Sequence, residues 1–99
     1  MHGEYKVPGG KLVVVDLGVA DGHLAGVRVS GDFFLEPDTA LEAMNAALEG
    51  LPADASQSLL AAALHVALGP DVKLYGVSAE AVAVAVRRAL DGQSTGDPA

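Results

Sequence analysis

The hydrophobic pattern changes its period once, at Gly31-Asp32-Phe33-Phe34, and that change divides the chain into a sheet-forming and a helix-forming part. Upstream, Val13, Val15, Leu17 and Val19 recur at every second residue, which places them on one face of an extended strand. Downstream, Leu41, Met44 and Leu48, then Leu60 and Leu64, then Val82, Val86 and Ala89 recur every three or four residues, the spacing of one helix face. Strands first and helices after is the order of an α+β domain. The expected architecture is a three-stranded antiparallel sheet followed by three helices packed on one face. A chain of 99 residues fits one domain. That domain is placed at residues 1–92, and the small polar residues 93–99 read as a disordered tail.

Within the sheet-forming part, a short strand at Gly3 to Val7 leads into Pro8-Gly9-Gly10. Proline presets one turn position and glycine supplies a positive φ at the next. A second strand follows from Lys11 to Val19, and Ala20-Asp21-Gly22 carries the hairpin turn to a third strand, His23 to Ser30. A two-residue Asp21-Gly22 turn would set Leu17 opposite Gly26 and Val15 opposite Arg28. A three-residue loop would instead pair Leu17 with Ala25, Val15 with Val27 and Val13 with Val29, keeping one apolar face continuous. The second register is the expectation. The other sheet face, with Leu12 and Val14 beside Asp16, Arg28 and Ser30, is either solvated or half of an interface.

Phe33 and Phe34 are adjacent, so extended backbone sends them to opposite faces. Either both enter the core, the second under the following helix, or one of them or Asp32 meets a partner. Pro37 and Asp38 suit the first turn of a helix that ends at Gly50. Ser56 is the expected N-cap of a second helix running to about Leu68, with Leu60, Ala63, Leu64 and Ala67 as its stripe, widened by Leu59 and Leu68. Val72 to Tyr75 is a short extended piece that could touch a sheet edge. Ser78 caps a third helix whose inward residues are Val82, Ala85, Val86, Ala89 and Leu90, ending at Gly92.

Composition removes whole classes of function. The net charge of −7 argues against a phosphate-backbone footprint for nucleic acid and against docking on anionic lipid. No run is long and apolar enough to span a bilayer, and the absence of cysteine removes disulfides, thiolate nucleophiles and cysteine-bound metals. That usage suits the cytoplasm. The histidines, His2, His23 and His65, share no helical metal-binding spacing. Ser30, His23 and Asp32 lack the strained nucleophile turn of a hydrolase, and an Asp16–Asp32 carboxylate pair has nothing else to support it. Lys6 and Lys11 bracket the Pro8–Gly10 turn, the best local place in an acidic chain to meet an anion. The turn is not a P-loop, because Lys11 is followed by a strand and not by a hydroxyl residue and a helix. No self-sufficient active site can be assembled from these residues.

The stretches Tyr5-Lys6-Val7-Pro8-Gly9-Gly10-Lys11-Leu12, Asp21-Gly22 and Ser30-Gly31-Asp32-Phe33-Phe34, with the helix from Pro37 to Gly50 and the final Gly76-Val77-Ser78, resemble the small accessory domain of the lipoate–protein ligase family. The likeness runs over about residues 4–91. In that family the small domain follows a large catalytic domain or exists as a separate subunit. The resemblance implies a part in the ATP-dependent activation of lipoate to lipoyl-adenylate. The catalytic lysine and glycine-rich substrate motif belong to the large domain, and this chain has no counterpart of that motif. It would therefore be inactive alone and bind no cofactor by itself; ATP with magnesium, and lipoate, would be met only in the complex. The implied partners are the catalytic domain or subunit and, indirectly, a lipoyl-acceptor protein. Lys6 or Lys11 would lie over phosphates. Pro8, Gly9, Gly10, Asp32, Phe33 and Phe34 would form the docking edge. A different class of function remains beside it: a non-enzymatic interaction module that uses the open sheet face.

Overall fold

A computed structural model describes residues 1–92; the expected tail, 93–99, lies outside the described residues. Among the described residues the order is β1 (His2–Lys6), β2 (Leu12–Ala20), β3 (His23–Gly31), β4 (Phe34–Glu36), α1 (Ala40–Leu48), α2 (Gln57–Leu68), β5 (Lys73–Tyr75) and α3 (Ala79–Leu90). β1, β2 and β3 form an antiparallel sheet in that order, and the three helices cover one of its faces. The α+β arrangement read from the periodicity is the one observed. The sheet contributes Val13, Val15, Leu17, Leu24, Val27 and Val29 to the core. Val19 shares that alternation but is 39% exposed, although its cross-strand partner Leu24 is buried.

The hairpin register differs from the expected one. Ala20 pairs with His23, so the turn is the two-residue Asp21-Gly22 form, with φ of 53° and 77°. The register then slips between Asp16 and Gly18, and beyond it Val15 pairs with Val29. Gly26, at φ 62°, supplies the extra residue as a bulge on β3. This one inserted residue keeps Leu24, Val27 and Val29 all on the buried side. It does what the three-residue loop was expected to do, by a different route.

The bulge is held from α1. The Gly26 and Val27 amides donate to the Glu49 carboxylate at 2.9 and 3.0 Å, and the Val29 amide donates to Asn45 Oδ1 at 2.9 Å. The Val27 and Gly26 bonds hold the Glu49 carboxyl below the usual range. Pro37 falls outside the helix: Pro37 to Thr39 form a turn, closed by the Ala40 amide on the Pro37 carbonyl, and α1 begins at Ala40. The caps at Ser56 and Ser78 are as expected, each hydroxyl accepting from the third amide along. The buried stripe of α2 is Leu60, Ala61, Leu64 and Leu68. Ala67 and Leu59 are outside it, because α2 packs on both α1 and α3 and turns its Ala61 side inward.

The sequence leads one to expect Phe33 to Glu36 as the passage to the first helix and Val72 to Tyr75 as a short extended piece able to touch a sheet edge. They pair with each other. β4 and β5 form a second, two-stranded sheet, with Phe34 opposite Tyr75, Leu35 opposite Leu74 and Glu36 opposite Lys73.

α3 seats directly on β1. Its buried positions are mostly alanine (Ala79, Ala81, Ala83, Ala85 and Ala89, with Val82 and Val86), so its backbone comes close to the strand. Gly3 is where they meet: a Cβ there would lie 2.4 Å from the Ala85 carbonyl oxygen and 2.4 Å from the Ala89 nitrogen. Both obstacles are backbone and cannot turn aside. The last turn of α3 adds two arginines. Arg88 donates to the Glu4 carbonyl at 3.0 Å and lies 5.0 Å from the Tyr5 ring centroid, while Arg87 donates to the Ala53 and Ala55 carbonyls. Gly3→Ala is therefore expected to cost about 2–3 kcal/mol by forcing α3 off the sheet. Urea unfolding would show it as a lower midpoint at unchanged slope, and an unaltered midpoint would mean that the seating is slack.

Candidate functional site

The residues singled out in the sequence lie on three neighbouring strand ends. Pro8-Gly9-Gly10 is a turn closed by the Gly10 amide on the Val7 carbonyl at 2.8 Å, with Gly9 at φ 73°. The Lys11 amide then donates to the Gly76 carbonyl at 3.0 Å. Gly76 directly follows β5, and its missing side chain makes room for the Lys11 stem: a Cβ there would lie 2.5 Å from Lys11 Cγ. Through Gly76 the turn is tied to Tyr75, and through Tyr75 to Phe34, whose ring centroid is 5.8 Å from the tyrosine's at a 40° tilt. Gly31 pairs with Val13 at the start of β2 and lies beside the Phe33 ring. The turn and the aromatic pair, far apart in sequence, thus share one end of the molecule.

Phe33 and Phe34 separate as adjacent residues on extended chain must. Phe33 packs against the core, and Phe34 is 56% exposed. Both do not enter the core, since α1 leaves Phe34 uncovered. Tyr75, which sequence reading did not single out, is 47% exposed beside it. The only signal available was the Lys73-Leu74-Tyr75 alternation, which puts Leu74 in and Tyr75 out once a partner strand is known. The Tyr75 hydroxyl donates to Glu36 Oε1 at 3.1 Å, and this bond pushes the phenol above its ordinary value. On the other side of Phe34 a concavity of about 320 Å³ is lined by Ser30, Gly31, Phe33, Phe34, Leu35, Asp38 and Leu41.

The two lysines differ. Lys6 Nζ donates to the Gly10 carbonyl at 2.7 Å and so is folded over the turn it brackets. Lys11 is exposed, with its stem on Gly76. Asp32 is exposed on the loop between β3 and β4. Among the described residues no three His, Cys, Asp or Glu side chains are grouped to hold a metal ion. No helix among the described residues is long and apolar enough to cross a membrane.

Two clusters elsewhere take up histidines. On the uncovered sheet face His2 bridges two carboxylates, Nε2 to Glu4 at 2.6 Å and Nδ1 to Asp16 at 2.7 Å. These bonds, Glu4 first, raise His2 above its ordinary value. His65 Nε2 bonds Glu80 at 2.7 Å across α2 and α3, which lowers the Glu80 carboxyl. His23 turns back to the Asp21 carbonyl at 2.9 Å. That bond does not connect it to Ser30 or Asp32, and Asp16 is engaged with His2 and not with Asp32.

No protein-family model matches the sequence, and no curated protein matches it. Among solved structures, a chain from an archaeal lipoylation system of Thermoplasma acidophilum, described as a bi-partite lipoate protein ligase and its E2 lipoyl domain, superposes with a TM-score of 0.62. The match is 22% identical and covers 88% of this chain and 98% of that one. The two share a fold over essentially the whole length of that chain.

The raised His2 value makes a signed prediction. Its contribution to stability is fully present below pH 6.5 and is lost as pH rises through the higher folded value. His2 is largely exposed, so solvent screening keeps the effect small. The difference in melting temperature between the wild type and His2→Gln should shrink as pH is raised from below 6.5 to well above it. A constant difference would refute the bridge.

Proposed function

We propose that this chain is the accessory subunit or domain of a lipoate–protein ligase, assisting a separate catalytic domain in the ATP-dependent activation of lipoate to lipoyl-adenylate for protein lipoylation. The observation that carries the reading is the fold likeness over 98% of a chain from a bi-partite lipoate ligase system. The sequence stretches that resemble the family add to it, and several of them meet at one end of the fold. Among the described residues no group of three metal-ligating side chains accompanies that end. The chain's role is then to cover the partner's pocket, keeping water from a reactive mixed anhydride and completing the set of groups around it.

In this reading the docking edge is the exposed pair Phe34 and Tyr75 with Asp32, Phe33 and the Pro8–Gly10 turn. Aromatic anchors of this kind give much contact area for little lost side-chain freedom. Lys11 is the better phosphate contact of the two lysines, because Lys6 already has the Gly10 carbonyl. The alternative, a module binding through the open sheet face, draws less support. On that face Leu12 and Val14 are half-buried among His2, Glu4, Asp16 and Arg28, so it offers a partner less exposed apolar area than Phe34 and Tyr75 do.

The test mixes the purified chain with a separately produced lipoate-ligase catalytic domain, ATP, magnesium and lipoate, and measures lipoyl-adenylate. Formation that depends on the chain is expected; equal formation without it removes the proposal. Lys11→Ala should lower the activation rate about tenfold, the loss of one charge-assisted contact, at unchanged melting temperature. A normal rate would take the phosphate role from Lys11. Phe34→Ser with Tyr75→Ser should weaken association with the catalytic domain at least as much. Undiminished association would move the docking edge elsewhere.

A further inference from the structure

The concavity beside Phe34 carries a more specific statement about the partner. Its apolar walls are Phe33, Phe34, Leu35 and Leu41, its one charged lining residue is Asp38, and Ser30 and Gly31 complete it. At about 320 Å³ it is at the small end of ligand pockets, which begin at roughly 300 Å³. Asp38 is exposed, and among the described residues its carboxylate enters no ion pair.

These features sort the possible occupants. An anion would add charge of the same sign beside Asp38, on a chain already at −7. A neutral apolar group would fill the walls but cover a carboxylate without pairing it, which is costly. A side chain with an apolar stem and a cationic head satisfies both parts. Of the two natural cations, the arginine head also stacks on an aromatic face and forks onto a carboxylate. We infer that this concavity receives an arginine side chain of the catalytic partner, its stem against Leu35 and Leu41, its guanidinium between the Phe34 ring and Asp38. The inference rests on the reading of the β4–β5 ribbon as the docking edge.

The test needs neither the partner nor the lipoylation reaction. Nα-acetyl-arginine amide is titrated into the isotope-labelled chain and followed by NMR, beside its neutral norleucine counterpart. The arginine probe should shift the amides of Gly31, Phe33, Leu35 and Leu41, and the norleucine probe should bind about tenfold more weakly. Asp38→Asn, which keeps size and shape, should weaken the arginine probe by the same factor while the rest of the spectrum stays in place. Equal shifts from the neutral probe, undiminished binding to Asp38→Asn, or no localised shifts would each overturn the inference. Any of these would leave the adenylation assay standing. Failure of that assay with the arginine titration intact would discard lipoylation and keep the pocket.

Discussion

The close seating of α3 on β1 is the contact on which the remaining arrangement depends. A helix whose buried face is mostly alanine can bring its backbone to within touching distance of a strand, provided that the strand offers glycine at the crossing, and Gly3 does so. That contact fills the sheet's inner face with small and branched aliphatic side chains. The two phenylalanines and two tyrosines are then not needed at the centre. Tyr5 goes under Arg88 at the margin, Phe33 closes the end of the core, and Phe34 and Tyr75 are left outside. The exposed aromatic pair is thus a consequence of how the core is built. A core that needed those rings would have nothing to offer at this surface.

What could be read from the sequence was whatever is decided locally. Ser56 and Ser78 cap their helices because a cap involves only the next three residues. Gly50 and Gly92 end helices with positive φ for the same reason. The hairpin was harder, because two local signals compete. The Asp21-Gly22 pair asks for a two-residue turn, the alternating valines ask for a different register, and a bulge at Gly26 meets both. Nothing in the sequence around Gly26 distinguishes a bulge glycine from an ordinary one. The pairing of β4 with β5 was out of reach for a different reason. Each is three residues long, and neither carries a pattern that names the other.

The candidate site divides in the same way. The Pro8-Gly9-Gly10 turn and the splitting of Phe33 from Phe34 follow from backbone rules alone. Their meeting through Gly76 does not, since it depends on where α3 delivers the strand that precedes it. Lys6 and Lys11 looked equivalent as brackets of a turn. The fold distinguishes them by carbonyl direction: Gly10 turns its oxygen towards Lys6, while Gly76 gives Lys11 a surface to lie on.

The way the main sheet is bounded limits how this chain can engage another. β3 has its outer amides taken by Glu49 and Asn45, and its Leu24 amide and carbonyl by Leu51 and Gly50. On β1, Arg88 occupies the Glu4 carbonyl. A partner strand adding to either edge would first have to displace side chains that also hold α1 and α3 in place. The uncovered face sets the half-buried Leu12 and Val14 among charged side chains, and its histidine is already bound between two carboxylates. What remains is the end of the molecule where the turn, the aromatic pair and the small concavity lie together. In the proposed docking, association at that end uses side chains on the β4–β5 ribbon and does not extend the sheet, so single substitutions there change binding without unfolding the domain that carries it.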